Sequence, residues 1–145
     1  MTFSVRSSAF DDGAPIPSAY TCDGANQQLP MSWSDVPPQT AELALVMDDP
    51  DAGGFVHWVV VGIPADATAL VDRLPRGAIA GRNGFGGSGY GGPCPPSGTH
   101  HYRITVYALA APLGLGASAT ANQVRAAAAS KTIAGATLTG TYRRS

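Results

Sequence analysis

The seven residues Phe55-Val56-His57-Trp58-Val59-Val60-Val61 constrain the fold more than any other part of the chain. Aromatic and β-branched side chains lose rotamer freedom in a helix and pack well on a pleated surface, so a run this dense reads as a strand. It is apolar on both faces, which requires cover on both sides, as in a central strand of a sandwich. Leu43-Ala44-Leu45-Val46-Met47 has the same character. Tyr102 to Ala108 differs. Tyr102, Ile104, Val106 and Ala108 share one parity and Arg103, Thr105 and Tyr107 the other, the alternation of a half-buried strand. Weaker strand patterns cover residues 4–8, 31–33 and 136–142.

One stretch reads as helix. Residues 120–133 are alanine-rich, Ser118 or Thr120 can cap the start, and Gly135 can end it. The stretch from Gly77 to Gly98 is glycine-rich and reads as a long ordered loop, a length that usually signals function or disorder. With 18 Gly and 12 Pro among 145 residues, turns are frequent, yet apolar runs interrupt them. A single mostly-β domain over residues 1–145 is expected, long enough to bury a core without staples.

Composition excludes several classes. The net charge is −1, and the arginines fall singly or in pairs from Arg6 to Arg144, so no basic stripe exists for nucleic acid. No window approaches the roughly 18–20 apolar residues of a membrane span. The start MTFSVRSSAF lacks an apolar segment behind a basic one, which makes the cytoplasm the expected compartment. The letters of Gly84 to Gly89, GFGGSG, mimic a dinucleotide fingerprint, but the loop leads to Pro93, Pro95 and Pro96 rather than to a helix.

Polar residues concentrate at three places: Asp48-Asp49-Pro50-Asp51, His57, and Pro93-Cys94-Pro95-Pro96 running into His100-His101-Tyr102. His100 has the parity of Tyr102, Ile104 and Val106, the inward face. His57 has that of Phe55, Val59 and Val61. A buried imidazole without a partner costs about 1–3 kcal/mol, so each histidine needs a polar neighbour. Either each is a satisfied core residue, or the two share a site with Asp49. Asp51 is equally suited to shaping the turn around Pro50.

The segments TCDGAN (21–26), DDPDAG (48–53), FVHWVVVGIPA (55–65), YGGPCPP (90–96) and GTHHYRITVYAL (98–109) appear in the order found in phosphatidylethanolamine-binding proteins. The chain resembles that family from about Phe3 to Tyr142, and most closely its bacterial, Raf kinase inhibitor-like branch. The resemblance implies a sandwich of two antiparallel sheets with Greek-key connections, one or two short helices, and a small cavity for phosphate-like anions or phosphorylated head groups. Carried over, the ligand-binding positions are Asp49, Asp51, His57, Tyr90, Gly92, Pro95, His100 and Tyr102. A small anionic ligand and a homodimer are the implied partners. No cofactor or metal is implied, and a binding or inhibitory role is expected rather than catalysis. Relatives inhibit kinases or proteases, but no motif here carries that activity over. His101 stands where the family usually has Arg, and the C-terminal helix of animal relatives has no counterpart.

Cys22 and Cys94 both border the cavity in the resemblance, as a disulfide or as inert or redox-sensing thiols. Asp49 is expected to orient and help protonate His57 or His100, with amides of the 86–92 loop completing an anion cradle. The alternative is an enzyme that uses Asp49, His57 and His100 as metal ligands or as an acid–base set.

Overall fold

The computed structural model describes residues 2–144. In chain order the elements are β1 (Ser4–Arg6), β2 (Met31–Ser34), β3 (Glu42–Asp49), β4 (Phe55–Pro64), β5 (Ala69–Leu70), β6 (Ile79–Ala80), β7 (Thr99–Leu109), α1 (Ala121–Ala128) and β8 (Thr132–Arg143). Two antiparallel sheets form: a small one ordered β1-β2-β5 and a larger one ordered β6-β4-β3-β7-β8. From β4 the chain crosses to the small sheet at β5, returns at the β6 edge, and lands on the far side of β3 as β7.

The apolar pattern of β3 and β4 follows from this layering. Leu43, Leu45 and Met47 point between the sheets with Trp58, Val60, Tyr102, Ile104 and Val106, against Met31, Trp33 and Leu70. Ala44, Val46, Val59 and Val61 face the other way, under Ala121, Val124 and Ala128 of α1. Each large side chain so buried contributes about 1.5–3 kcal/mol.

Local structure departs from the sequence reading in three places. α1 ends at Ala128 rather than near Ile133, and Gly135 lies inside β8 instead of closing the helix. Thr132 and Ile133 are β-branched, and the edge of β7 offers them a ladder, with Thr132 opposite Leu109. Thr120 does cap the helix: its hydroxyl accepts from the Gln123 amide (3.2 Å), and the Gln123 side chain accepts from the Thr120 amide (3.0 Å). The 77–98 stretch is not all loop, since it holds β6 and an antiparallel bridge between Arg82 and Ser88.

The third departure decides the site. Met47 pairs with Trp58, but Asp48 pairs with Val56, so His57 is an extra residue with no partner on β3. Such a bulge re-aims side chains. Val56 packs on the helix side with Val59 and Val61. His57 turns to the opposite face, its ring 5.2 Å from that of Tyr102 in an edge contact. The expectation that His57 lies on the face of Val59 and Val61 is thereby corrected.

Candidate functional site

Where β3, β4 and β7 reach the loop at residues 90–96, a hollow of about 370 Å³ opens. Its size is that of a small-ligand pocket. Asp49, His57, His100 and Tyr102 supply polar groups, and Phe55, Phe85, Ala52, Pro95 and Pro96 supply apolar walls, with Gly84 and Cys94 completing the lining. β3 ends here, so its inward series Leu43, Leu45, Met47 continues into Asp49. β7 begins here, and His100 precedes Tyr102 on the same face.

Asp49 is 3% exposed. Its Oδ1 accepts from the Asp51 amide (2.8 Å), fixing the turn after β3, and its Oδ2 lies 2.6 Å from His100 Nδ1. A carboxylate only accepts, so Nδ1 carries the proton and Nε2 is left for the hollow. His57 Nδ1 lies 2.7 Å from the Gly91 carbonyl oxygen, which also only accepts. Burial lowers the pKa of His57, against weaker opposing effects of the Gly91 carbonyl and Asp49. His57 is therefore neutral at pH 7, with Nε2 an acceptor. Tyr102 is fully buried, and burial followed by the charge of Asp49 raises its pKa, so the phenol stays protonated. Its hydroxyl finds no hydrogen-bond partner among the described residues.

The sequence of this chain matches the family described as phosphatidylethanolamine-binding protein over residues 6–143. The chain belongs to that family. It is 45% identical to a UPF0098 protein of Methanothermobacter thermautotrophicus over 148 residues, covering 97% of this chain and 98% of the relative. It is 46% identical over 143 residues to the Mycobacterium tuberculosis protein LppC, named a lipoprotein, covering 95% of this chain and 71% of that one. Among solved structures, the phosphatidylethanolamine-binding protein homologue CT736 of Chlamydia trachomatis superposes with a TM-score of 0.93 at 34% identity, covering 99% of each chain. Escherichia coli YbcL gives the same TM-score and identity over 100% of each chain.

Within this family fold, the positions expected from sequence divide into two groups. Asp49, His57, Pro95, His100 and Tyr102 line the hollow. Asp51, Tyr90 and Gly92 do not. The Asp51 carboxylate accepts from the backbone and ring of His101 (2.7 and 2.8 Å) at the rim. Tyr90 stands behind the wall, edge-on to Trp58 at 5.3 Å, and its hydroxyl donates to the Tyr20 carbonyl. Gly92 lets two loops touch: its amide donates to Asn26 Oδ1 (2.9 Å), and a Cβ there would overlap the Tyr20 carbonyl. Of the amides in the 86–92 loop, those of Gly87, Gly89, Gly91 and Gly92 donate to protein acceptors and are not free for an anion.

Phe55 and Phe85 carry apolar wall that polar motifs do not reveal. Of the apolar residues the sequence suggests for the mouth, Trp58, Phe85 and Tyr90, Phe85 lines the hollow, packed edge-on to Phe55 (4.8 Å) and His57 (5.5 Å) while 53% exposed. Cys22 and Cys94 form a disulfide, with Cα atoms 5.5 Å apart. No three His, Cys, Asp or Glu side chains among the described residues group so as to hold a metal ion. The metal-site alternative for Asp49, His57 and His100 is thus unsupported by geometry. No described helix is long and apolar enough to cross a membrane.

Proposed function

We propose that the hollow binds a small phosphorylated or otherwise anionic molecule, with its acid group at Tyr102, His100 and His57 and its body against Phe55 and Phe85. The Tyr102 hydroxyl carries this reading. A buried hydroxyl without a partner costs about 1–3 kcal/mol, and a ligand oxygen recovers that cost. A singly protonated phosphate ester suits the three groups together. Its ionised oxygens accept from Tyr102 and from a protonated His100, and its P–OH donates to the bare Nε2 of His57. The charge of Asp49 opposes an anion by about 4 kcal/mol at 4 Å and an effective dielectric of 20. The imidazolium charge of a protonated His100, whose Nδ1 lies 2.6 Å from Asp49 Oδ2, offsets that repulsion.

On this reading the protein is a binding protein and not an enzyme. Its disulfide fits an oxidising compartment better than the cytoplasm suggested by the N-terminal sequence. The test is calorimetric titration with phenyl phosphate from about pH 5.5 to about 8.5. Affinity falls with rising pH in the wild type, and more shallowly in His100→Gln. A flat or rising wild-type profile removes the mechanism.

A further inference from the structure

We propose that the Cys22–Cys94 disulfide is a thiol-exchange switch that sets the shape of the pocket, an inference that rests on the hollow being a ligand site. The bond is placed for both exchange and control. Cys22 and Cys94 are exposed, whereas disulfides that serve only stability resist the thiol pool. Cys94, Pro95 and Pro96 are themselves wall of the hollow. The bond joins this wall to the loop at residues 21–26, across 72 positions of sequence.

Arg144 gives the exchange a direction. Its Nη1 lies 3.7 Å from Cys94 Sγ, and the guanidinium is held there by Asp23 at 2.9 Å. A cation beside a sulfur stabilises the thiolate and so the leaving group. An external dithiol supplies the nucleophile. Its thiolate attacks Cys22 Sγ, the protein S–S bond breaks, and Cys94 leaves as a thiolate facing Arg144. The reductant's second thiolate then attacks the mixed disulfide and releases Cys22. The reductant ends as a disulfide, and the protein gains two electrons and two protons as two thiols.

Reduction frees the tip of the wall without unfolding its base. The Cys22 amide still donates to the Pro93 carbonyl (3.1 Å), Tyr90 to the Tyr20 carbonyl (2.7 Å), and Gly92 to Asn26 (2.9 Å). Beyond Pro93 the disulfide is the covalent tie to that loop, and only the exposed Arg144 contact with Cys94 and Asp23 remains after reduction, so Pro95 and Pro96 lose their covalent anchor while His57 keeps its bond to Gly91.

The experiment compares oxidised protein, protein reduced with dithiothreitol, and the Cys22→Ser/Cys94→Ser variant, each titrated with phenyl phosphate. Amide order parameters of Cys94, Ser97 and the core residue Ile104 are measured alongside on the oxidised and reduced forms of the wild type. Reduction is expected to weaken binding at least fivefold and to loosen Cys94 and Ser97 from about 0.85 to below about 0.6, leaving Ile104 rigid. The double variant binds like the reduced form, and Arg144→Gln slows reduction at least threefold. Equal affinity of oxidised and reduced protein, or an unmoved tip, overturns the switch. If the oxidised protein fails to bind phenyl phosphate, the ligand reading falls instead, and the order parameters alone decide the switch.

Discussion

Asp48 and Asp49 are consecutive residues whose carboxylates lie on opposite faces of the large sheet. Asp49 meets His100 in the hollow, while Asp48 is gripped from outside by Arg103 (Nε 3.1 Å, Nη2 3.0 Å) and Arg125 (Nη2 2.8 Å). Strand alternation makes this division of labour: one carboxylate serves the site, and the next ties α1 and β7 to β3. The Asp48 bond in turn raises the pKa of Arg103.

Asp48→Ala leaves two guanidinium groups side by side with no counter-ion. The arginine side chains are 49% and 39% exposed, so solvent screens much of the loss. Destabilisation of about 1–2 kcal/mol is expected by urea unfolding, less than the roughly 3–5 kcal/mol of a fully buried pair. Because the hollow is on the other face, affinity for phenyl phosphate should change less than twofold.

Tyr102→Phe separates folding from binding. The hydroxyl has no protein partner, so its removal leaves thermal stability unchanged or raises it by up to about 1 kcal/mol. Affinity for phenyl phosphate drops about tenfold, the equivalent of one hydrogen bond. A variant that binds as tightly as wild type would show that the hydroxyl does not meet the ligand.

His57 contributes acid sensitivity of known sign. Burial holds its folded-state pKa below the ordinary 6.5, so between the two values the unfolded chain binds the extra proton and the folded one does not. The contribution is complete above pH 6.5 and is lost as pH falls through the lowered folded value. Urea midpoints from about pH 7.5 down to about 4.5 should decline less steeply in His57→Gln than in wild type.

Gly92→Ala tests the loop contact. A Cβ meets the Tyr20 carbonyl and Asn26 Oδ1, so one loop must retreat. Overpacking of this kind costs about 1–3 kcal/mol, read as a lower melting temperature. Unaltered melting would mean that the loops part easily.

Much of this was readable from the residues because the strands announce themselves. Clean alternation in β7 placed His100 and Tyr102 on the inner face, where both lie. The same parity argument failed for His57, since a bulge adds a residue without leaving any mark in composition. Tyr90 and Gly92 carried motif signal, but the signal reflects how two loops meet behind the wall. The extent of α1 was overread because alanine propensity runs on into residues that β7 recruits by pairing. Two-residue strands such as β5 and β6 have too little pattern to detect and exist only through their neighbours.

The extra residue between Phe55 and Trp58 makes the imidazole hostage to arithmetic. Deleting Val56 would preserve every core hydrophobe downstream in its proper orientation, yet erase the kink that turns the imidazole toward the hollow. Chains of this fold can therefore lose the histidine's placement by a change of length, with no substitution at the histidine itself.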